Sequence, residues 1–162
     1  MLNEKMEKAL NDQINEELYS SYLYLSMAAW FESENLPGCA AWMQAQAREE
    51  NGHAMKFFKF INERRGRVTL QAIQKPPQEW KSALAAFEAS LDHEQHITAC
   101  IEKLMNLAVS QKDYASVGLL QWFVNEQVEE EANVDAIVQR LKMAEKAPGA
   151  LLMLDHALGE RK

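Results

Sequence analysis

Apolar residues recur every three or four positions along four long stretches of the chain, which is the spacing of one face of an α-helix. The stretches cover approximately residues 3–34, 38–65, 79–110 and 113–144. Asn3 and Asp113 stand where a side chain can accept hydrogen bonds from the free amides of a helix start. The pattern therefore predicts four long helices.

The connections between these helices differ in length. Leu36-Pro37-Gly38 is a short turn signal between the first and second helices, and Gly66 is the expected end of the second. Residues 66–79 lack helical periodicity and contain Pro76-Pro77. These 14 residues span about 46 Å when extended, and a helix of 28 residues is about 42 Å long. The linker can therefore cross the whole length of a bundle between the second and third helices.

A short fifth helix is predicted at the C-terminal end. Pro148 suits the first turn of a helix, and residues 149–159 carry Leu151, Leu154 and Leu158 on one stripe. So short a helix is not stable alone and has to pack on another surface. The expected fold is an all-α four-helix bundle with a long crossover and a short fifth helix, forming a single domain over residues 1–162.

Composition narrows the functional classes. The net charge of −7 argues against nucleic acid or an anionic membrane as a partner. The sequence contains no signal-peptide pattern, and no apolar run reaches the roughly 18 residues of a membrane span. Cys39 and Cys100 have no partner at metal-ligand spacing, and as two lone cysteines they favour small buried residues in a reducing cytoplasm.

Polar residues interrupt the apolar face of every long helix. Glu17 lies 33 positions before Glu50, and Glu94 lies 33 positions before Gln127. Each second member has a polar partner three residues later, which is His53 in one case and Glu130 in the other. With a rise of 1.5 Å per residue, all these positions fall within about 3–5 Å of one level of the bundle. The repeat therefore predicts one polar layer inside the core.

A buried carboxylate without a partner is costly, so four of them in one layer indicate a bound cation. Carboxylates with one imidazole suit divalent iron, and four carboxylates balance two divalent ions. One Glu-x-x-His is present, whereas the second pair is Gln-x-x-Glu, so the second metal would have only oxygen ligands and bind more weakly. The alternatives are a solvated surface pair, a polar layer that only fixes helix register, and a di-iron oxidase acting on an organic substrate.

Four sequence segments resemble the bacterial non-haem ferritins, and the similarity extends over essentially the whole chain. They are Glu17-Leu18-Tyr19-Ser20-Ser21, Arg48-Glu49-Glu50-Asn51-Gly52-His53, His93-Glu94-Gln95 and Leu120-Gln121-Trp122-Phe123-Val124-Asn125-Glu126-Gln127. The resemblance implies a ferritin-like fold, a ferroxidase centre, dioxygen or hydrogen peroxide as oxidant, and a 24-subunit shell enclosing an iron mineral. Solvent-facing apolar residues are expected to be buried between subunits; the candidates are Trp30, Trp42, Phe58 and Trp80, and the core of the bundle is the alternative place for some of them.

The resemblance also implies individual roles. Glu17, Glu50 and His53 would hold the first iron, and Glu50 would bridge to a second iron held by Glu94 and Glu130. Gln127 would bind weakly or donate a hydrogen bond. Tyr24 matches a tyrosine beside the ferroxidase centre, although a core aromatic explains it as well. The residues that match a third iron site are Glu49, Glu126, Glu129 and Glu130; a solvated acidic face is the alternative for the first three.

Departures from related families matter as well. Bacterioferritins have a second Glu-x-x-His and a haem-ligating methionine after the bridging glutamate, where this chain has Asn51. No haem is therefore expected. The cysteine-rich segment of rubrerythrins is missing from this sequence. The acidic Glu130 also distinguishes the chain from animal heavy-chain ferritins, which usually have a small residue there.

Overall fold

A computed structural model describes residues 1–161, and within that range the chain forms five helices and no strand. The helices are α1 (Glu4–Ser33), α2 (Pro37–Glu63), α3 (Ala83–Ser110), α4 (Tyr114–Ala144) and α5 (Ala150–Leu158). The predicted all-α bundle with a short last helix is confirmed. No helix in this part of the chain has the length and apolar character needed to cross a membrane.

Side-chain caps fix where three of the helices begin. Asn3 accepts a hydrogen bond from the amide of Lys5 (2.9 Å), and Asp113 accepts one from Ser116 (3.2 Å). The helix α3 begins at Ala83, four residues after the predicted start at about Glu79. The Ser82 hydroxyl sets this start, because it accepts a hydrogen bond from the amide of Ala85 at 3.0 Å. Pro148 likewise lies just before α5 rather than in its first turn.

Three helices end with the same hydrogen-bonded motif. Asn35, Arg65 and Lys112 adopt left-handed backbone conformations with φ of 60°, 61° and 54°. In each motif the amide of the next residue bonds back to a carbonyl five positions earlier, as from Gly66 to Ile61 at 2.9 Å. The left-handed residue at the end of α2 is therefore Arg65, and not Gly66 as the sequence suggested. Gly66 has another reason to be small, since a Cβ there would lie 3.0 Å from the Ile61 side chain.

The linker between α2 and α3 lies along α1. Asn11 of α1 donates to the carbonyl of Arg67 (2.9 Å) and accepts from the amide of Thr69 (2.8 Å). Fifteen residues further along α1, Ser26 donates to the carbonyl of Pro77 (2.6 Å). That separation corresponds to about 22 Å of helix, so the predicted long crossover is present.

The core consists of two apolar clusters that the polar residues separate along every long helix. One cluster includes Phe31, Trp42 and Phe87, and the other includes Phe57 and Phe123, whose rings stack at 4.1 Å. The first cluster takes its α1 residues from position 23 onward, whereas the second takes them up to position 14. Glu17 therefore lies between the two clusters, as do the polar residues of the other helices.

The four apolar residues expected at subunit contacts occupy different environments. Trp42 is only 6% exposed and belongs to the core, which was the alternative considered for some of these residues. Trp30 and Trp80 are half-buried against the same cluster, with ring centroids 5.8 Å apart, whereas Phe58 is 37% exposed. Helical spacing could not separate Trp42 from the surface set, because the contacts of its ring are with Phe87 on α3 and with Arg161 beyond α5.

Helix α5 is anchored at the start of α2. The Asp155 carboxylate accepts hydrogen bonds from the amides of Gly38 (3.2 Å) and Cys39 (2.7 Å), which are free donors at the N-terminus of α2. A Cβ on Gly38 would lie 1.7 Å from the carbonyl oxygen of Asp155, so only glycine permits this approach. The negative charge also lies at the positive end of the α2 dipole.

Candidate metal centre

The polar layer consists of six residues on four helices, and each is at most 5% exposed. They are Glu17 on α1, Glu50 and His53 on α2, Glu94 on α3, and Gln127 and Glu130 on α4. The spacing of three residues places both polar side chains of α2, and both of α4, on one helix face. The structure thus brings all six side chains of the predicted layer into the interior.

The acidic and imidazole groups form two sets that share one residue. The ligand atoms of Glu17, Glu50 and His53 lie within 4.8 Å of one another, and so do those of Glu50, Glu94 and Glu130. His53 Nδ1 is 3.0 Å from a Glu50 oxygen and 4.0 Å from a Glu17 oxygen. These distances favour two adjacent cation sites with Glu50 between them.

Burial makes the charged form of these carboxyls unfavourable. Burial first, and then the negative charge of Glu50, raise the pKa of Glu17 well above its usual range. Burial, Glu94 and Glu130 do the same to the pKa of Glu50. Burial followed by the charge of Glu94 raises the pKa of Glu130 to about 7. The layer therefore holds protons at neutral pH that a divalent cation can replace.

A buried carboxylate oxygen of Glu17 without a hydrogen-bond partner indicates that a cation fits between Glu17, Glu50 and His53. Gln13 donates to Oε1 of Glu17 at 2.9 Å, but Oε2 is buried and has no hydrogen-bond partner within residues 1–161. Leaving such an acceptor unsatisfied costs about 1–3 kcal/mol. A divalent ion between Glu17, Glu50 and His53 would satisfy it with ligand types that iron and zinc accept. The donor set therefore fits a metal.

Tyr24 and Gln127 both act on Glu94. The Tyr24 hydroxyl donates to Oε1 of Glu94 at 2.5 Å, and Gln127 Nε2 donates to Oε2 at 3.2 Å. Burial, and then the charge of Glu94, raise the pKa of Tyr24 well above its usual range, so the hydroxyl remains a donor. Of the two roles considered for Gln127, this geometry favours hydrogen bonding, because its amide nitrogen faces Glu94.

Two glutamines and one arginine of the site were missed by the sequence reasoning. Gln46 Nε2 donates to Glu130 at 2.6 Å and to Glu50 at 3.2 Å, and so connects α2 with α4. Arg161, beyond α5, donates to Oε1 of Gln46 at 3.0 Å. A signal existed for the glutamines, since Gln13 and Gln46 each precede a layer glutamate by four residues and are themselves 33 residues apart. No repeat or periodic pattern in the sequence predicts that Arg161 contacts the site.

Only some of the candidates for a third iron site lie close to one another. Glu126 Oε1 lies 3.7 Å from His53 Nε2, and Glu126, His53 and Glu130 form another set within 4.8 Å. Glu49 instead pairs with Arg161 at 2.9 Å. Glu129 is exposed and lines, with Glu49 and Arg161, a surface cavity of about 620 Å³. A third ion bound by all of these residues would therefore need Glu49 to leave Arg161.

Comparison with known proteins agrees with this fold. The model of the ferritin-like domain matches residues 7–144. The chain is 41% identical over 155 residues to the bacterial non-heme ferritin of Campylobacter jejuni, covering 96% of this chain and 93% of that protein. It is 40% identical over 161 residues to that of Bacteroides fragilis, covering 99% and 100%.

A solved structure is more similar still. It is described as a novel open pore ferritin from the hyperthermophilic archaeon Archaeoglobus fulgidus, and it superimposes with a TM-score of 0.99 at 50% identity. The match covers 100% of both chains. Together with the family model and the buried layer of carboxylates, this similarity shows that the chain belongs to the ferritin family.

Proposed function

We propose that the protein stores iron and oxidises Fe(II) at the polar layer, with dioxygen or hydrogen peroxide as oxidant. The observation that carries the proposal is the pair of ligand sets that share Glu50. Iron is the substrate here: two Fe(II) ions each give up one electron to the oxidant and leave as Fe(III) for a mineral core. Membership of the ferritin family supports the same function.

The protein residues have separate tasks in this reaction. Glu17 and His53 hold the first ion, Glu94 and Glu130 hold the second, and Glu50 contacts both. The carboxyls release protons as the ions enter, because burial keeps them partly protonated at neutral pH. Tyr24 fixes the orientation of Glu94 through its hydrogen bond. The apolar clusters on either side keep bulk water from the ions.

An anaerobic titration with Fe(II), followed by exposure to oxidant, tests the proposal. Two ions per chain, the first bound more tightly than the second and both oxidised within seconds of mixing, are expected on the basis of the two ligand sets. A protein that binds no Fe(II) before the oxidant is added would contradict it, since the layer would then serve only to fix helix register.

Zinc is expected to inhibit ferrous oxidation. It accepts the same oxygen and nitrogen ligands and has no redox chemistry. Addition of Zn²⁺ in excess of three ions per chain before Fe(II) should reduce the initial oxidation rate by about tenfold or more. Stopped-flow absorbance of the ferric product measures the rate, and Mg²⁺ at the same concentration serves as control. An unchanged initial rate with bound zinc would exclude the layer as the oxidation site.

We further propose a closed shell of 24 subunits in the cytoplasm, without haem, and a third ion near Glu126. Exposed apolar residues on α5 support the assembly, since Leu152 and Met153 are 64% and 76% exposed in the single chain. Such side chains are suited to burial between subunits. The position after the bridging glutamate is Asn51, which cannot ligate haem iron as a methionine does.

Truncation before Pro148 is expected to impair assembly more than it impairs Fe(II) binding. It removes the apolar side chains of α5, whereas all the layer residues lie on α1–α4. Analytical ultracentrifugation should show a large closed particle for the full chain and predominantly small species for the truncated one. Arg161→Ala is the matched control, because it removes the contact with Gln46 and leaves α5 in place. A monomer or dimer of the full chain at micromolar concentration would refute the shell.

A further inference from the structure

A second group of metal-binding side chains lies on the surface between α1 and α3. Glu16 Oε2 is 3.1 Å from His96 Nε2, and Cys100 Sγ is 3.6 Å from the same nitrogen. One ligand atom from each of these residues lies within 4.8 Å of the other two. Glu16 is the neighbour of Glu17 but points away from the core, because successive residues on a helix are about 100° apart.

The three donors differ in kind from those of the polar layer. A thiolate, an imidazole and a carboxylate together match the preferences of zinc, which binds sulfur, nitrogen and oxygen ligands in tetrahedral geometry. His96 and Cys100 are four residues apart on α3, so one helix face presents both. The sequence reasoning that Cys100 has no partner at metal-ligand spacing was therefore wrong. Glu16 comes from the neighbouring helix, and a water molecule would complete four ligands. A thiolate and a carboxylate also neutralise the charge of one Zn²⁺.

The surroundings leave this group accessible. A surface cavity of about 230 Å³ opens beside it and is lined by Asn15, Glu16, Tyr19, Gln74, His93 and His96. The side chain of His96 is 54% exposed and that of Glu16 36% exposed. His93 is already engaged, since its Nε2 lies 2.6 Å from the hydroxyl of Ser20. Both α1 and α3 contribute buried side chains to the two core clusters, so we expect metal binding to require only side-chain adjustment.

We propose that Glu16, His96 and Cys100 bind one Zn²⁺ per chain, at a site separate from the polar layer. Burial, and then the charges of Glu16 and Glu17, raise the pKa of Cys100 to about 11. The thiol is therefore protonated at neutral pH, and zinc binding releases that proton, as in other thiolate sites. The zinc ion would link α1 to α3 at the same level as the first ligand set.

Co²⁺ is the probe that distinguishes the two sites. A bond between Co²⁺ and a thiolate produces a charge-transfer absorption in the near ultraviolet, and the polar layer contains no cysteine to produce it. As Co²⁺ is added to the metal-free full-length protein, this absorption should rise to the value of one thiolate-bound ion per chain once the layer sites are also filled, and Zn²⁺ should abolish it. Cys100→Ser should lack it, and His96→Ala should weaken Co²⁺ binding by about tenfold or more.

Cys39→Ser is the matched control and should keep the absorption, because Cys39 is buried at the start of α2. Circular dichroism of each variant checks that the helices are intact. Absence of a thiolate absorption in the wild-type protein would overturn the proposal. Its persistence in Cys100→Ser, or its loss in Cys39→Ser, would overturn it too. Ferrous oxidation can succeed or fail independently of these outcomes, since no layer residue is changed.

Discussion

Replacement of Glu50 by alanine is expected to slow ferrous oxidation by at least about 100-fold, since loss of groups that only support a metal ligand already costs about 10–100-fold. Glu50 belongs to both ligand sets, so its removal affects both ions at once. The initial rate of Fe(III) formation after rapid mixing with dioxygen measures the effect. Wild-type rates in this variant would remove Glu50 from the oxidation site.

The helical fold of Glu50→Ala should survive. Burial and two neighbouring carboxyls raise the pKa of Glu50, so the ionised group opposes folding at neutral pH in the protein without metal. Its removal should leave the thermal unfolding temperature of the metal-free protein unchanged or higher. Glu63→Ala on the same helix is the matched control, because the Glu63 side chain is 60% exposed and forms an ion pair with the exposed Lys59.

His53→Ala and Glu130→Ala are expected to weaken the binding of different Fe(II) ions. His53 belongs to the set with Glu17, and Glu130 to the set with Glu94; each set retains Glu50 when the other is damaged. Glu130→Ala should therefore still bind one tight Fe(II) per chain, whereas His53→Ala should lose the tight ion, with an affinity about 100-fold lower. Anaerobic calorimetric titration with Fe(II) counts the ions and measures both affinities.

The same loss in both variants would refute the unequal division of ligands. Asp135→Ala provides a control on α4, because Asp135 is exposed and its side chain accepts a hydrogen bond from Gln139 on the same helix, at 3.0 Å. The contrast also separates a cation site from a purely electrostatic one. If Fe(II) were attracted only by the negative charge of the layer, the affinity lost in Glu130→Ala would depend only on the negative charge removed, and not on which ligand set contains Glu130.

Much of the fold and of the candidate site follows from helical periodicity. The matched spacings of Glu17 to Glu50 and Glu94 to Gln127 set the level of the layer, because a rigid helix converts sequence distance into length. The i, i+3 spacing places both side chains of each pair on one face of their helix, which is the face toward the core. Residues fixed by these two rules, including His53 and Glu130, lie where the sequence predicted.

Other residues depend on contacts that no local pattern encodes. Gln46 connects Glu50 to Glu130 across two helices, and Arg161 reaches it from beyond α5. The Trp42 ring packs against that of Phe87 in the core, with centroids 5.3 Å apart, and Arg161 lies over it at 4.5 Å. The expected start of α3 was early because Ser82, rather than a change in hydrophobic period, determines it. Tertiary contacts of this kind become visible only in the folded chain.

Substitutions at the three residues with left-handed backbone conformation at the helix ends are expected to raise the thermal stability of the protein. A left-handed backbone costs an ordinary residue roughly 1–2 kcal/mol, and the extra freedom of glycine in the unfolded chain offsets about 0.4–1 kcal/mol of any gain. Glycine at Arg65 or Lys112 should thus add a few tenths of a kcal/mol or more, with less benefit at Asn35, because asparagine tolerates this conformation better. The motifs share no backbone hydrogen bond, so their contributions should add. Ferritin variants that resist heating could therefore be obtained without touching the metal layer or any apolar residue.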